Sequence, residues 1–160
     1  MPLEIRLLGA GEGEVLRHVA PGVFDGPVLP HWTREFLADV RHHLIIARED
    51  GVVVGMVSAV DYVHPDKAPQ LWINEIGVAP SHQRRGIGRR LLEAMLAHGR
   101  ALGCTEAWLG TEEANVAARR LYESAGGAPE AFTLYSFSLQ PGDVPEPGAG
   151  ASGGAGVGAG

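Results

Sequence analysis

One cysteine in 160 residues, Cys104, leaves no partner for an internal disulfide. The fold must therefore hold by packing alone, which accords with a reducing compartment and makes a cytoplasmic location the expectation. The seven histidines are scattered from His18 to His98 and show no metal-ligand spacing with that cysteine, so no metal is expected. No apolar stretch reaches the roughly 18 residues of a membrane span. The opening "MPLEIRLLGAGEGE" lacks a basic region followed by an apolar run, so no signal peptide is expected either. Cationic excess is also missing: 13 Lys and Arg face 19 Asp and Glu, a net charge of −6. That balance argues against nucleic acid as a partner and is compatible with a cationic substrate.

What is present points to one folded unit. Hydrophobic residues at 45% and charged residues at 20% are the proportions of an ordinary globular protein, and the length suits one core. From Pro141 to Gly160 the chain is nearly all Gly, Ala and Pro, too poor in apolar surface to offset the entropy of ordering. The expected division is a domain over 1–140 and a flexible tail over 141–160.

Short apolar runs between turn residues predict strands at 4–8, 43–50, 52–60, 71–78, 106–111 and 131–139. Glu49-Asp50-Gly51 reads as the turn of a hairpin. Ile87, Leu91, Leu92, Met95, Leu96 and Leu102 recur at a helical period from Gly86 onward, and Gly103 follows as a stop. Further helices are expected at about 115–124, 12–20 and 31–41. Helices, a hairpin and then strand–helix–strand–helix–strand make a mixed α/β sheet.

Against the acidic background, "SHQRRGIGRR" at 81–90 packs four arginines and two glycines into ten residues. It falls between a strand ending at Val78 and a helix beginning near Gly86. A helix N-terminus offers unpaired N–H groups and partial positive charge. Glycines there let an anion approach the main chain, an arrangement that suits phosphate or pyrophosphate. A basic loop that merely caps its helix is the plainer alternative. The Gly-Lys-Ser/Thr of a P-loop is absent. A dinucleotide fingerprint fails as well, because Leu91 stands where its third glycine belongs.

Gln83-Arg84-Arg85-Gly86-Ile87-Gly88 matches the Q/R-x-x-G-x-G/A signature of the GNAT (GCN5-related) N-acetyltransferases, and the chain resembles that superfamily over roughly 3–139. Downstream, "NVAARRLYESAGG" is similar to the family's second segment, with Asn115, Ala118, Leu121, Tyr122 and Gly126 in the matching places. Gly127 stands where an aromatic is usual. The resemblance implies a mixed, mostly antiparallel sheet flanked by helices and splayed at an acetyl-CoA site. It also implies an enzyme that moves acetyl from acetyl-CoA to a primary amine by direct attack in a ternary complex.

On this reading the anion is the pyrophosphate of acetyl-CoA, held by Gln83, Arg84, Arg85, Gly86, Ile87, Gly88 and Arg89. The backbones of Ile76, Gly77 and Val78 would receive the pantetheine arm, with the Val78 N–H facing the thioester oxygen. Asn115 and Tyr122 lie seven residues apart, two helical turns, and so share a face. Asn115 would bond pantetheine while the Tyr122 phenol, protonated at neutral pH, serves as general acid. A core tyrosine with a satisfied hydroxyl is the alternative for Tyr122. Strand alternation puts Glu75 and Gly77 on one face and Asn74, Ile76 and Val78 on the other. Glu75 fits three roles: base for the amine, binder of a cationic substrate, or member of a structural ion pair. His42, His43 and His64 are further possible bases. Cys104, between a helix stop and a strand, suits a small buried residue better than a nucleophile.

The acceptor is sought in the stretches 21–32, 62–70 and 131–139, where Asp25, Asp61, Asp66 and Glu75 would present negative charge. The layout is loosely similar to the aminoglycoside 3-N-acetyltransferase branch, which implies an aminoglycoside or another small polyamine. A protein or peptide amine is the alternative acceptor, and a non-catalytic acyl-CoA-binding module the alternative from another class. A homodimer is compatible with the late apolar strand.

Overall fold

Asp50 and Gly51 both take positive φ, 50° and 80°. Such a pair makes the tight two-residue turn whose twist matches a hairpin. It joins β2 (His42–Glu49) to β3 (Val52–Tyr62) in the computed structural model, which describes residues 2–142. The other elements, in chain order, are β1 (Glu4–Leu7), α1 (Pro30–Ala38), β4 (Gln70–Val78), α2 (Ile87–Ala101), β5 (Ala107–Trp108) and α3 (Val116–Ser124). Short 3-10 turns occupy Gly13–Arg17 and Pro80–His82. The tail expected from Pro141 lies, from residue 143 on, outside the described residues.

The sheet runs β1-β2-β3-β4-β5, antiparallel except for the last pair. This is the mixed, mostly antiparallel architecture expected. On one face lies α2, whose Ile87, Leu91, Leu92 and Met95 are buried against Val57, Leu71, Ile73, Ile76 and Val78. Side chains buried that fully stabilise by roughly 1.5–3 kcal/mol each. The helix lies close: a Cβ on Gly99 would come within 2.9 Å of Leu71 Cδ2. It stops at Gly103, in the left-handed region at φ 84°. There the Cys104 N–H donates to the Gly99 carbonyl and the Gly103 N–H to Arg100, satisfying two end carbonyls. On the other face a second apolar cluster, including Leu16, Val23, Leu37, Ile46, Val53 and Met56, sits under α1 and the loop before it.

Two bulges break the ladders. Between β2 and β3 the register passes from Ala47↔Gly55 to Arg48↔Val53, leaving Val54 extra. Between β3 and β4 it passes from Ser58↔Glu75 to Ala59↔Ile73, leaving Asn74 extra and exposed. A bulge reverses the alternation beyond it. Ile73 therefore shares the α2 face with Ile76 and Val78, and Asn74 does not. The expected grouping of Asn74 with those two residues is corrected, while Glu75 and Gly77 keep their common face.

The largest departures from expectation are four. The helix sought at 12–20 is only the 3-10 turn at Gly13–Arg17, and that at 31–41 is α1, begun by Pro30. The strand at 106–111 shrinks to Ala107–Trp108, since the parallel ladder holds only Leu71↔Ala107 and Trp72↔Trp108 before β4 bends at its bulge. Residues 131–139 form no strand, because a two-residue β5 offers too short an edge to template one. Among the described residues no helix is long and apolar enough to cross a membrane. None of their His, Cys, Asp and Glu side chains gather in threes fit to hold a metal.

Candidate active site

The turn from β4 into α2 is built from left-handed residues. Arg84 has φ 61° and Gly86 φ 74°, with Gln83 extended before them and the helical Ile87 directly after. A left-handed residue followed by a helical one, as at Gly86 and Ile87, gathers successive N–H groups into a concave nest. No side chain caps α2, and its first turn holds no acid. The first intrahelical bond is Arg90 N–H to the Gly86 carbonyl, so the N–H groups of Ile87, Gly88 and Arg89 have no acceptor within the helix. A Cβ on Gly86 would meet nothing within 4 Å, which leaves the nest open above the glycine.

The four arginines divide into two pairs. Arg85 holds Glu49, at the end of β2, in a two-point bond of 2.7 and 3.1 Å. His82 Nε2 lies 3.0 Å from the same carboxylate. Glu49 is pushed down to about 2, first by the Arg85 hydrogen bond and then by that to His82. This clamp fastens the anion loop to the hairpin; sequence spacing offered no sign of it, the partners being 36 residues apart. Arg89 pairs with Glu93 one helical turn on, at 2.8 Å. Arg84 and Arg90 make no ion pair among the described residues, so theirs is the charge left to face a ligand.

Beside the nest, β4 is open along one edge. The Leu71 N–H bonds Glu106 on the β5 side, whereas the Ala79 N–H bonds Val54 on the β3 side. With one bulge between them, the main-chain groups of Ile76 and Val78 turn to the open edge. Those of Gly77, opposite Met56, turn into the ladder with β3. The Gln83 side chain donates to the Val78 carbonyl at 3.4 Å, joining that edge to the loop. The splay between β4 and β5 is thus present from Ile73 onward.

Tyr122 projects from α3 against the cluster that holds Ile76, Val78 and Ile87. Its hydroxyl is buried and has no hydrogen-bond partner, and burial pushes the phenol up to about 12. The Thr111 Oγ1 is likewise buried and unpartnered, a feature nothing in the sequence marked. Asn115 is the N-cap of α3, its Oδ1 accepting from the Ala118 N–H at 3.1 Å. The far end of α3 is closed by Gly126, at φ 94°, with the Gly127 N–H on the Tyr122 carbonyl at 2.9 Å. A Cβ on Gly127 would come within 2.9 Å of that carbonyl, so glycine in place of the usual aromatic tightens this turn.

On the opposite face, Glu75 is half-buried in a recess of about 20 Å³ with Gly22, Val23, Asp25, Met56 and Gly77. Its carboxyl is raised above the usual range, first by burial and then by the charge of Asp25. The main chain of Val23 rests directly on Gly77, its carbonyl oxygen filling the place of a Cβ. Gly22 also lines a larger cleft of about 900 Å³ between the Gly13–Arg17 turn, the following loop and α1. The recess and the cleft therefore adjoin, in the 21–32 stretch where the acceptor was sought.

Other charged candidates are occupied elsewhere. Asp61, buried at the far end of β3, bonds Arg41 at 2.9 Å and His43 Nε2 at 2.6 Å. His43 in turn meets His98 at 2.9 Å. His64 meets Gln70 at 3.0 Å, and His42 pairs with Asp39 at 3.1 Å. The Cys104 thiol is pushed up by burial and then by Asp61, which keeps it protonated and a poor nucleophile.

The family model for acetyltransferases (GNAT) matches residues 14–127. A mycothiol acetyltransferase from Thermomonospora curvata is 38% identical over 96 residues, 60% of this chain and 29% of that protein. An aminoglycoside N(6′)-acetyltransferase type 1 from Salmonella typhimurium is 32% identical over 85 residues, 51% of this chain and 59% of the other. The chain thus spans less than two thirds of either relative. The second is named for the N(6′) position rather than the 3-N position suggested by the sequence layout. An aminoglycoside acetyltransferase from an uncultured soil metagenomic sample, solved with trehalose, superposes with a TM-score of 0.72 at 19% identity, covering 86% of this chain and 97% of that one. A structure in complex with the bisubstrate analogue CoA-S-monomethyl-acetylneamine gives 0.71 at 23%, covering 86% and 99%. At such identities the likeness is one of fold.

Proposed function

The chain belongs to the acetyltransferase (GNAT) family, and from that premise we propose that it moves an acetyl group from acetyl-CoA to a primary amine of a small cationic molecule by direct attack in a ternary complex. The observation that carries this reading is the buried, unpartnered hydroxyl of Tyr122, packed against the cluster that borders the open edge of β4. A buried hydroxyl without a partner costs about 1–3 kcal/mol. A ligand sulfur arriving along that edge would remove the cost. The nest at Arg84–Arg89 fits the anionic end of the same ligand, and the turned-out groups of Ile76 and Val78 fit its amide arm.

When bound, acetyl-CoA supplies a thioester whose carbonyl carbon accepts the amine. The chain's own groups do the rest. Gly86, Ile87, Gly88 and Arg89 present main-chain N–H groups to the pyrophosphate, and Arg84 adds charge outside. Asn115, by holding the start of α3, fixes the helix that carries Tyr122. The Val78 N–H donates to the oxygen on which negative charge grows. Glu75, with its raised pKa, takes the proton of the incoming ammonium. Tyr122 donates a hydrogen bond to the departing sulfur. Full proton transfer from a phenol near 12 to a thiolate whose acid is near 8.5 costs about 5 kcal/mol. Hydrogen-bond donation is therefore its main contribution. Asp25 beside Glu75 favours an acceptor with more than one positive charge, and the aminoglycoside relative is in keeping with that.

Titration calorimetry with CoA, ATP and NAD tests the donor, and thiol release with aminoglycosides, polyamines, amino acids and peptides tests the acceptor. The expected result is binding of CoA alone and thiol release that depends on a polycationic amine. Failure of CoA to bind overturns the reading. CoA binding without release on any amine leaves a binding module in place of an enzyme.

A further inference from the structure

We propose that Glu49 is a positioning residue for the nucleotide end of the acyl donor: it makes the anion loop bind a polyanion more tightly although its own charge is negative. The proposal rests on the acetyl-transfer reading above, and Glu49 lies outside the loop which that reading assigns to the donor.

Glu49 is the last residue of β2 and pairs with Val52 across the two-residue turn, so the hairpin fixes its main chain. Its side chain, 20% exposed, grips two residues of the loop. Arg85 Nη1 and Nη2 donate to separate carboxylate oxygens at 3.1 and 2.7 Å. His82 Nε2 lies 3.0 Å from Oε2. A carboxylate only accepts, so that nitrogen carries a hydrogen. The Nδ1 of the neutral ring then accepts from the Ser81 hydroxyl at 2.8 Å. The His82 bond therefore stands with the ring neutral or charged. Held at about 2, first by the Arg85 bond and then by that to His82, the carboxyl also keeps its charge through the mildly acid range.

The two gripped residues bracket Gln83 and Arg84. Gln83 is extended, at φ −65° and ψ 160°. Arg84 is left-handed at φ 61° without being glycine. A residue with a side chain keeps that shape only where its surroundings impose it. Local charge opposes the shape as well. Four arginines lie within the seven residues 84–90, at the positive end of α2, whose first turn holds no acid. By charge alone, a carboxylate beside an anion site repels the ligand, and its removal should tighten binding. A positioning residue acts in the opposite sense. It holds 82–85 in the form that gathers the Ile87, Gly88 and Arg89 N–H groups, so the ligand need not order the loop itself. Arg85, turned to Glu49, acts through the loop and not on the ligand.

Calorimetry with CoA on the wild type, Glu49→Gln, Arg85→Gln and the double variant tests this. Glu49→Gln keeps the shape of the side chain and removes its charge. Its CoA affinity is expected to fall about tenfold, or about 1.4 kcal/mol. KM for acetyl-CoA should rise alongside, with kcat little changed. Arg85→Gln should lose about as much, and the double variant no more than either, since all three break one bond. A clamp of structural value only would lower the thermal midpoint and leave CoA affinity unchanged, which overturns the proposal. So does an affinity that rises in Glu49→Gln, the sign that charge alone decides. Losses that add in the double variant would put Arg85 on the ligand itself and overturn it too. A wild type that binds no CoA removes the acetyl-transfer reading and this proposal together. A wild type that binds CoA no better than Glu49→Gln does removes the proposal alone.

Discussion

The carbonyl oxygen of Val23 stands where a Cβ on residue 77 would have to be, so the acceptor-side loop and the central strand touch main chain to main chain at Gly77. This contact sets the loop that bears Asp25 beside Glu75.

Gly77→Ala should therefore displace the loop rather than the strand. Overpacking of this kind costs about 1–3 kcal/mol, read from a urea midpoint. The proposed acetyl transfer should lose kcat/KM for the amine while CoA affinity in calorimetry holds. A loss confined to CoA affinity would mean that the contact serves the donor side.

Tyr122→Phe separates catalysis from stability. Removing a buried hydroxyl that has no partner should leave the protein as stable or more so, by up to about 1–3 kcal/mol. Turnover should drop about 100-fold, the loss of one hydrogen-bond donor to charge that grows on the sulfur. Stability and rate falling together would instead mark a hydroxyl bonded within the fold.

At Gly86 the backbone is left-handed with open space around it, so alanine brings torsional strain without a clash. Gly86→Ala should cost about 1–2 kcal/mol if the nest keeps its shape, and should weaken CoA at least several-fold if the nest relaxes. Calorimetry beside thermal unfolding distinguishes the two, and no change in either would remove the nest from the binding account.

Glu75→Gln concerns pH. A carboxyl whose folded pKa is raised favours the protonated form in the native state. Its contribution to stability is complete below the unfolded value of 4.5 and is lost as pH rises through the folded value. Glu75→Gln should thus be more stable than the parent at neutral pH and equal to it in acid. The acidic limb of the rate profile, with its inflection above 4.5, should vanish in the variant. A parent that gains stability over the variant as pH rises would place Glu75 in an ion pair.

Much of the frame was legible because it depends on neighbours in sequence. Asp50-Gly51 dictates its turn, and Gly103 and Gly126 end their helices through their own φ values. The period of Ile87, Leu91 and Met95 marks the buried face of α2. The anion loop was readable too, though half of its arginine charge proved to be spent on Glu49 and Glu93. Longer-range features were not. Strict alternation grouped Asn74 with Ile76, and only pairing with β3 reveals the extra residue. Residues 131–139 have strand composition, yet a strand also needs an edge to join, and β5 provides two residues. The seating of Val23 on Gly77 spans more than fifty positions and left no local mark.

Asn74 also bears on how this chain can vary. Deleting this one extra position would restore one-to-one pairing across Ser58 and Ala59 and leave Glu75 and Ile76 on the faces they already hold, whereas losing a paired neighbour would carry side chains to the wrong face. Across relatives, a one-residue gap at that place should therefore be tolerated, because it straightens the strand without exchanging its dry side for its reactive one.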